Sequence, residues 1–136
     1  STSEGFELLH WKAPTGGHPS SSSACRDLAW ATWTVPLGWP VRGIWPRASD
    51  GTEVSSVCRS GVAPSVAGEH LLAVGEGRKL RLLRWPCVAE FAAAEEVVRH
   101  TGSIARVRFT ADGERLLTAG GTDTCIMQWR LVPADQ

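Results

Sequence analysis

His100 and Asp123 are the residues of this 136-residue chain whose pairing would suit acid–base chemistry. A histidine oriented by a carboxylate can activate a nucleophile, provided the three groups lie within hydrogen-bond reach and share an oxyanion site. The rest of that machinery is not written in the sequence. No G-x-S-x-G elbow occurs, and "GVAPSVAG" around Ser65 has the wrong spacing. His10, His18 and His70 are scattered over different segments, and Cys25, Cys58, Cys87 and Cys125 form no C-x-x-C pair, so neither a zinc site nor another metal centre is expected. "GEGRKL", Gly75 to Leu80, resembles a phosphate-cradling loop only superficially. Its glycines lead into the strand-like "KLRLLRW", whereas a phosphate loop needs a helix whose amides point at the anion. The segment reads as a hairpin turn. No cofactor and no catalytic residue is expected.

Recognition chemistry is better represented. Arg78, Lys79, Arg81 and Arg84 cluster in one short segment. On a strand, Lys79 and Arg81 share one face and Leu80 and Leu82 the other. Such a row discourages edge pairing, or it meets an acidic partner and speeds association. The chain has seven tryptophans and no tyrosine, and Trp30, Trp33, Trp39 and Trp45 crowd one stretch. Tryptophan is enriched at binding hot spots. Trp30 and Trp33 would face opposite sides of one strand, while Trp39-Pro40 and Trp45-Pro46 anchor an irregular loop. Core packing and loop anchoring is the favoured role for these indoles; if a partner site exists, Gly38 to Pro46 is its preferred place, since irregular loops on rigid sheets often carry function.

Composition narrows the partner class. With 14 basic and 14 acidic side chains the chain is neutral, which argues against general nucleic-acid or anionic-membrane binding. No apolar run approaches the roughly 20 residues of a membrane span, and no secretory signal opens the sequence. It begins without methionine, so a partial chain is expected. Unpaired cysteines suit a reducing compartment, and a cytoplasmic location is expected.

The elements that must hold these residues repeat along the chain. "RVRFTADGERLLTAGGTDTCIMQW", residues 106–129, reads as three antiparallel strands. Asp112-Gly113 turns the first hairpin, and Gly120-Gly121 breaks the second strand. Leu8-Leu9-His10-Trp11 returns as Leu82-Leu83-Arg84-Trp85 and, more weakly, as Ile126-Met127-Gln128-Trp129. Trp85 and Trp129 are 44 residues apart, near the roughly 40–45 of a WD-repeat blade. The expected strands cover residues 5–11, 26–35, 53–59, 70–75, 79–85 and 96–99, followed by the three just quoted. "AEFAAAEEVVRH" has the composition of a helix former. Its place between two repeat units nevertheless makes Glu96 to Arg99 a short outer strand. The fold class is therefore all-β: a partial WD-repeat β-propeller of about two four-stranded antiparallel blades plus one extra strand. Residues 1–25 hold the last strand of a preceding blade and a flexible loop. Residues 26–87 are a blade with a Trp-rich insertion, and residues 88–136 the final blade and tail.

In "GFELLHW", "RDLAWATWTVPLGWPVRGIWPRASDGTEVSSVCRS", "LRLLRWPC" and "VRFTADGERLLTAGGTDTCIMQWRLV" the chain resembles the carboxy-terminal end of the echinoderm microtubule-associated protein-like family. The likeness runs from about Gly5 to Val132, and its most specific part is Gly43 to Ser60. It implies a tandem pair of joined propellers, of which these would be the last blades of the second. It also implies a non-enzymatic cytoskeletal scaffold whose partners are tubulin, microtubules or microtubule-associated proteins, together with the missing propeller blades of the parent chain. The family's coiled coil and basic region have no counterpart here. A WD-repeat peptide-recognition adaptor of another complex is the alternative. WD-repeat blades often link a histidine, a strand hydroxyl, a turn aspartate and a tryptophan. His100, Asp123 and Trp129 fit three of these places as a structural brace. The hydroxyl place is expected at Ala119, with Thr118 facing away, which would leave the brace incomplete.

Overall fold

The computed structural model describes residues 7–11, 19–21, 23–45 and 53–134. Nine strands and one short 3-10 turn are present among them. β1 (His10–Trp11) and β2 (Pro19–Ser20) form a two-residue antiparallel pair. Residues 5 and 6 of the expected strand over 5–11, and residues 12–18 and 22 of the polar loop after it, lie outside the described residues; residues 7–9 are described and belong to none of the strands.

A four-stranded antiparallel meander follows: β3 (Val54–Arg59), β4 (Leu71–Glu76), β5 (Lys79–Arg84) and β6 (Glu95–Val98), in that spatial order. Glu76 pairs with Lys79 across the two-residue turn Gly77-Arg78, where Gly77 takes φ 55°, a conformation glycine adopts without steric cost. "GEGRKL" is thus a hairpin. β6 pairs Val97 with Leu80 and Glu96 with Arg81. The outer strand forms despite its alanine and glutamate content, because the free edge of β5 supplies partners that local propensity cannot.

The second sheet is β7 (Ile104–Phe109), β8 (Arg115–Gly120) and β9 (Ile126–Arg130). Its first turn follows the Asp-Gly signal. Gly113 sits at φ 75°, the Asp112 carboxylate accepts from the Glu114 amide and the Thr110 hydroxyl, and Thr110 accepts from the Arg115 amide. The Thr110 hydroxyl and the Glu114 amide hold the Asp112 carboxyl below the usual carboxylate range.

The two sheets lie side by side with like strands adjacent. β7, first of its sheet, packs on β3 and β4. Cys58, Ala73, Leu80, Ile104, Val107 and Leu116 form the apolar seam, with Phe109 and Trp129 against it. Polar bonds cross the same seam. The Ile104 amide donates to the Gly77 carbonyl at 2.7 Å and the Val107 amide to the Ser56 hydroxyl at 3.2 Å. A Cβ at Gly75 would stand 2.9 Å from Ile104 Cγ2, so glycine there sets how closely the sheets approach. The opposite face of the first sheet, through Val57, Leu72, Val74 and Leu83, packs on Trp33, Val41 and Ile44. β4 is consequently covered on both sides, as a strand between neighbouring blades must be. The all-β, partial-propeller reading holds, with one four-stranded and one three-stranded sheet.

One expected strand is absent. Residues 26–35 are irregular, tied to the sheet where the Arg59 amide donates to the Trp33 carbonyl at 2.9 Å. Without an extended ladder, Trp30 and Trp33 do not part to opposite faces. Their rings meet edge-to-face at 5.9 Å on the same apolar cluster. The 3-10 turn Trp39–Ile44 then buries Val41 and Ile44 and leaves Trp39 and Arg42 outside.

Candidate functional site: a buried brace and a guanidinium–indole surface

Thr118 corrects the sequence reading. Leu116 and Thr118 point inward on β8 while Leu117 points out. This is the two-residue period of a strand, and it puts the Thr118 hydroxyl in the place that was expected to fall on Ala119 and stay empty. His100 Nε2 lies 2.7 Å from Thr118 Oγ1, His100 Nδ1 lies 2.8 Å from Asp123 Oδ2, and the Trp129 indole N–H donates to Thr118 Oγ1 at 2.9 Å. The brace is complete. The carboxylate fixes the Nδ1–H tautomer, so the Thr118 hydroxyl donates to Nε2 while accepting from the indole. Asp123 also accepts from the Gly102 and Cys125 amides. Its carboxyl is held below the ordinary carboxylate range, first by the His100 hydrogen bond, against the opposing effect of burial, with the two amides assisting.

Hydroxyl, imidazole and carboxylate in a row have the order of a hydrolytic triad. Their surroundings differ from those of such a triad. His100 and Thr118 are each 1 % exposed, leaving no path by which a substrate carbonyl could reach the hydroxyl. Thr118 Oγ1 is already occupied by an indole N–H that holds β9 to β8. Fully satisfied buried networks of this kind rigidify and specify a fold. The cysteines are likewise free thiols, three of them buried, and burial raises Cys87 above its ordinary value, partly opposed by Arg81.

Each cation of the basic row on β5 faces a glutamate close by. Lys79 pairs with Glu96 at 3.2 Å, Arg81 with Glu76 at 3.2 Å and Glu96 at 3.5 Å, and Arg84 with Glu69 at 3.1 Å. Arg81 also donates to the Ile44 carbonyl, and Arg78 to that of His100. Trp45 turns its indole N–H to the Pro36 carbonyl at 3.1 Å, which anchors the loop.

Trp39 is different. It is 41 % exposed, and two guanidiniums, of Arg26 at 4.2 Å and Arg42 at 4.8 Å, stack on its ring. A cleft of about 340 Å³ opens beside it against Trp85, whose ring carries Arg59 at 5.3 Å. Sequence reasoning singled out Trp39 but not Arg26, Arg42 or Arg59, which are far apart along the chain. The one local signal was Arg42 midway between Trp39 and Trp45.

The family profile described as "Echinoderm microtubule-associated protein second beta-propeller" matches residues 1–131. The chain belongs to this family. The 77 kDa echinoderm microtubule-associated proteins of Lytechinus variegatus and Strongylocentrotus purpuratus are 38% and 39% identical to it, each over 133 residues. These alignments take in 97% of this chain but 19% and 18% of the relatives. Echinoderm microtubule-associated protein-like 4 of Xenopus tropicalis is 35% identical over 134 residues, 97% of this chain and 14% of that protein. The chain thus spans less than a fifth of these relatives' length. By name, the family's members are microtubule-associated, and the two packed sheets are a slice of its second propeller. No helix among the described residues is long and apolar enough to cross a membrane.

Proposed function

We propose that the chain is a non-enzymatic cytoskeletal scaffold segment that presents a rigid propeller surface to tubulin, microtubules or associated proteins in the cytoplasm. What supports this reading is membership of a microtubule-associated family along nearly the whole chain. The brace adds to it, since a site that could be mistaken for catalytic machinery is sealed and spent on rigidity. Recognition then falls to loops and side chains on the outside of the sheets, where a stiff framework lowers the ordering cost of binding.

The test is co-sedimentation of the chain with microtubules polymerised in vitro, beside pull-down of unpolymerised tubulin. Retention in either assay, above that of an inert globular control, is the expected result. Retention in neither would transfer the chain to the adaptor reading, in which the same surface receives a peptide of another complex.

A further inference from the structure

The geometry points to the Trp39 cleft as a binding site for an acidic peptide segment of a partner protein, one carrying an apolar side chain among its carboxylates. This rests on the reading of the chain as a protein-recognition scaffold and names the chemistry of one partner. The reason is a contrast in how the fold treats its cations. Along β5, Lys79, Arg81 and Arg84 each face a glutamate. At the Trp39 corner, Arg26 and Arg42 are stacked on one exposed indole. The carboxylate found there is Asp27, 3.8 Å from Arg26 Nε and 91% exposed. Arg59, stacked on Trp85, gives Nη2 to the Ala31 carbonyl. Among the described residues, three guanidiniums stand here against a single solvated carboxylate, a local positive excess on a chain whose overall charge is zero.

The shape agrees with the charge. The cleft is lined by Leu28, Trp30, Trp39 and Trp85 together with Arg26 and Arg59, a mixed surface of apolar rings and cations. Stacked guanidiniums keep their in-plane N–H groups available, and those groups match a carboxylate in a two-pronged fit. An apolar side chain buried against the indoles would exclude water from those pairs and strengthen them. Guanidiniums and indoles also suit single-stranded nucleic acid. A nucleic-acid site, however, belongs to a basic stripe on a strongly basic domain, whereas this chain has a pI of about 6.9.

The test titrates the 136-residue chain against a fluorescein-labelled peptide of alternating glutamate and leucine, read by anisotropy. Saturable binding that weakens as salt rises is expected. The double variant Arg26→Glu/Arg42→Glu should lose about tenfold or more in affinity with an unchanged melting curve. Trp39→Ala should lose affinity as well. Arg84→Glu, which removes an exposed cation elsewhere, should bind like the parent. Equal binding by a lysine–leucine peptide or by oligothymidylate would overturn the proposal. So would retained affinity in the double variant, or an equal loss in Arg84→Glu. The microtubule assay is read in parallel. Peptide failure with co-sedimentation intact overturns the cleft and leaves the scaffold standing, while peptide binding without co-sedimentation upholds the cleft.

Discussion

Replacing His100 by alanine is expected to lower the free energy of unfolding by about 3 kcal/mol. The imidazole is 1 % exposed and joins β8, the turn before β9 and, through Thr118, the Trp129 indole. Alanine leaves a cavity, takes the donor from Asp123 and takes the acceptor from the Thr118 hydroxyl, all where water does not enter. An unmade buried hydrogen bond costs more than a made one contributes, so the loss should exceed that of an ordinary surface histidine. Urea denaturation of the two proteins at neutral pH measures it, and a difference below about 1 kcal/mol would mean that the brace is not closed in solution.

The same variant has a signature in pH. Asp123 titrates lower in the fold than an ordinary carboxyl because His100 donates to it. A carboxyl depressed in this way stabilises the fold above its unfolded-state value, about 3.9 for aspartate. That contribution disappears as pH falls through the lower folded value. The parent should therefore lose stability on acidification below about pH 4 more steeply than the His100→Ala protein, from which the largest cause of the Asp123 depression has been removed while the Gly102 and Cys125 amides remain.

The second large effect is expected at Gly43. Its amide donates to the Cys87 carbonyl at 2.9 Å, and the Cys87 amide returns a bond to Pro40 at 2.8 Å. A Cβ there would run into the Ala89 carbonyl and stand 3.0 Å from that of Cys87. Both obstacles are backbone, so neither can rotate away. Gly43→Ala must push the turn off the chain at Cys87 to Ala89, prising out Val41 and Ile44, which are fully buried. Overpacking of this kind costs about 1–3 kcal/mol, here near the upper end because the turn is bonded on both sides. Trp39 and Arg42 ride on that turn, so binding of the glutamate–leucine peptide should fall with stability. Gly61→Ala is the matched control. Nothing stands within 4 Å of its Cβ position, and a change within about 0.5 kcal/mol is expected.

Most of the sheet framework was legible because its strands obey simple periods. Leu80, Leu82 and their neighbours alternate with cations, glycines mark Gly77 and Gly113, and β6 was recoverable from its place between units although its residues favour helix. Three features escaped the sequence reading, each for a physical reason. The tryptophans of residues 26–35 suggested a strand by propensity, but a segment without a ladder partner takes whatever path seats its indoles in the core. The Thr118 hydroxyl was readable in principle. Period two from Leu116 places it inside, whereas alignment to the usual blade pattern displaced it by one position, enough to flip its face. The cleft was out of reach, since only tertiary packing gathers Arg26, Arg42 and Arg59 around Trp39 and Trp85.

Native-state hydrogen exchange tests whether the two sheets are neighbouring blades joined into one unit. The Ile104 amide is bonded to Gly77 and the Val107 amide to Ser56, both across the seam, while Val74 lies mid-ladder on β4. Protection of Ile104 and Val107 comparable to that of Val74 is the expected result, because opening the seam would require global unfolding. Rapid exchange at Ile104 and Val107 while Val74 stays protected would show that the sheets open independently and are not one unit.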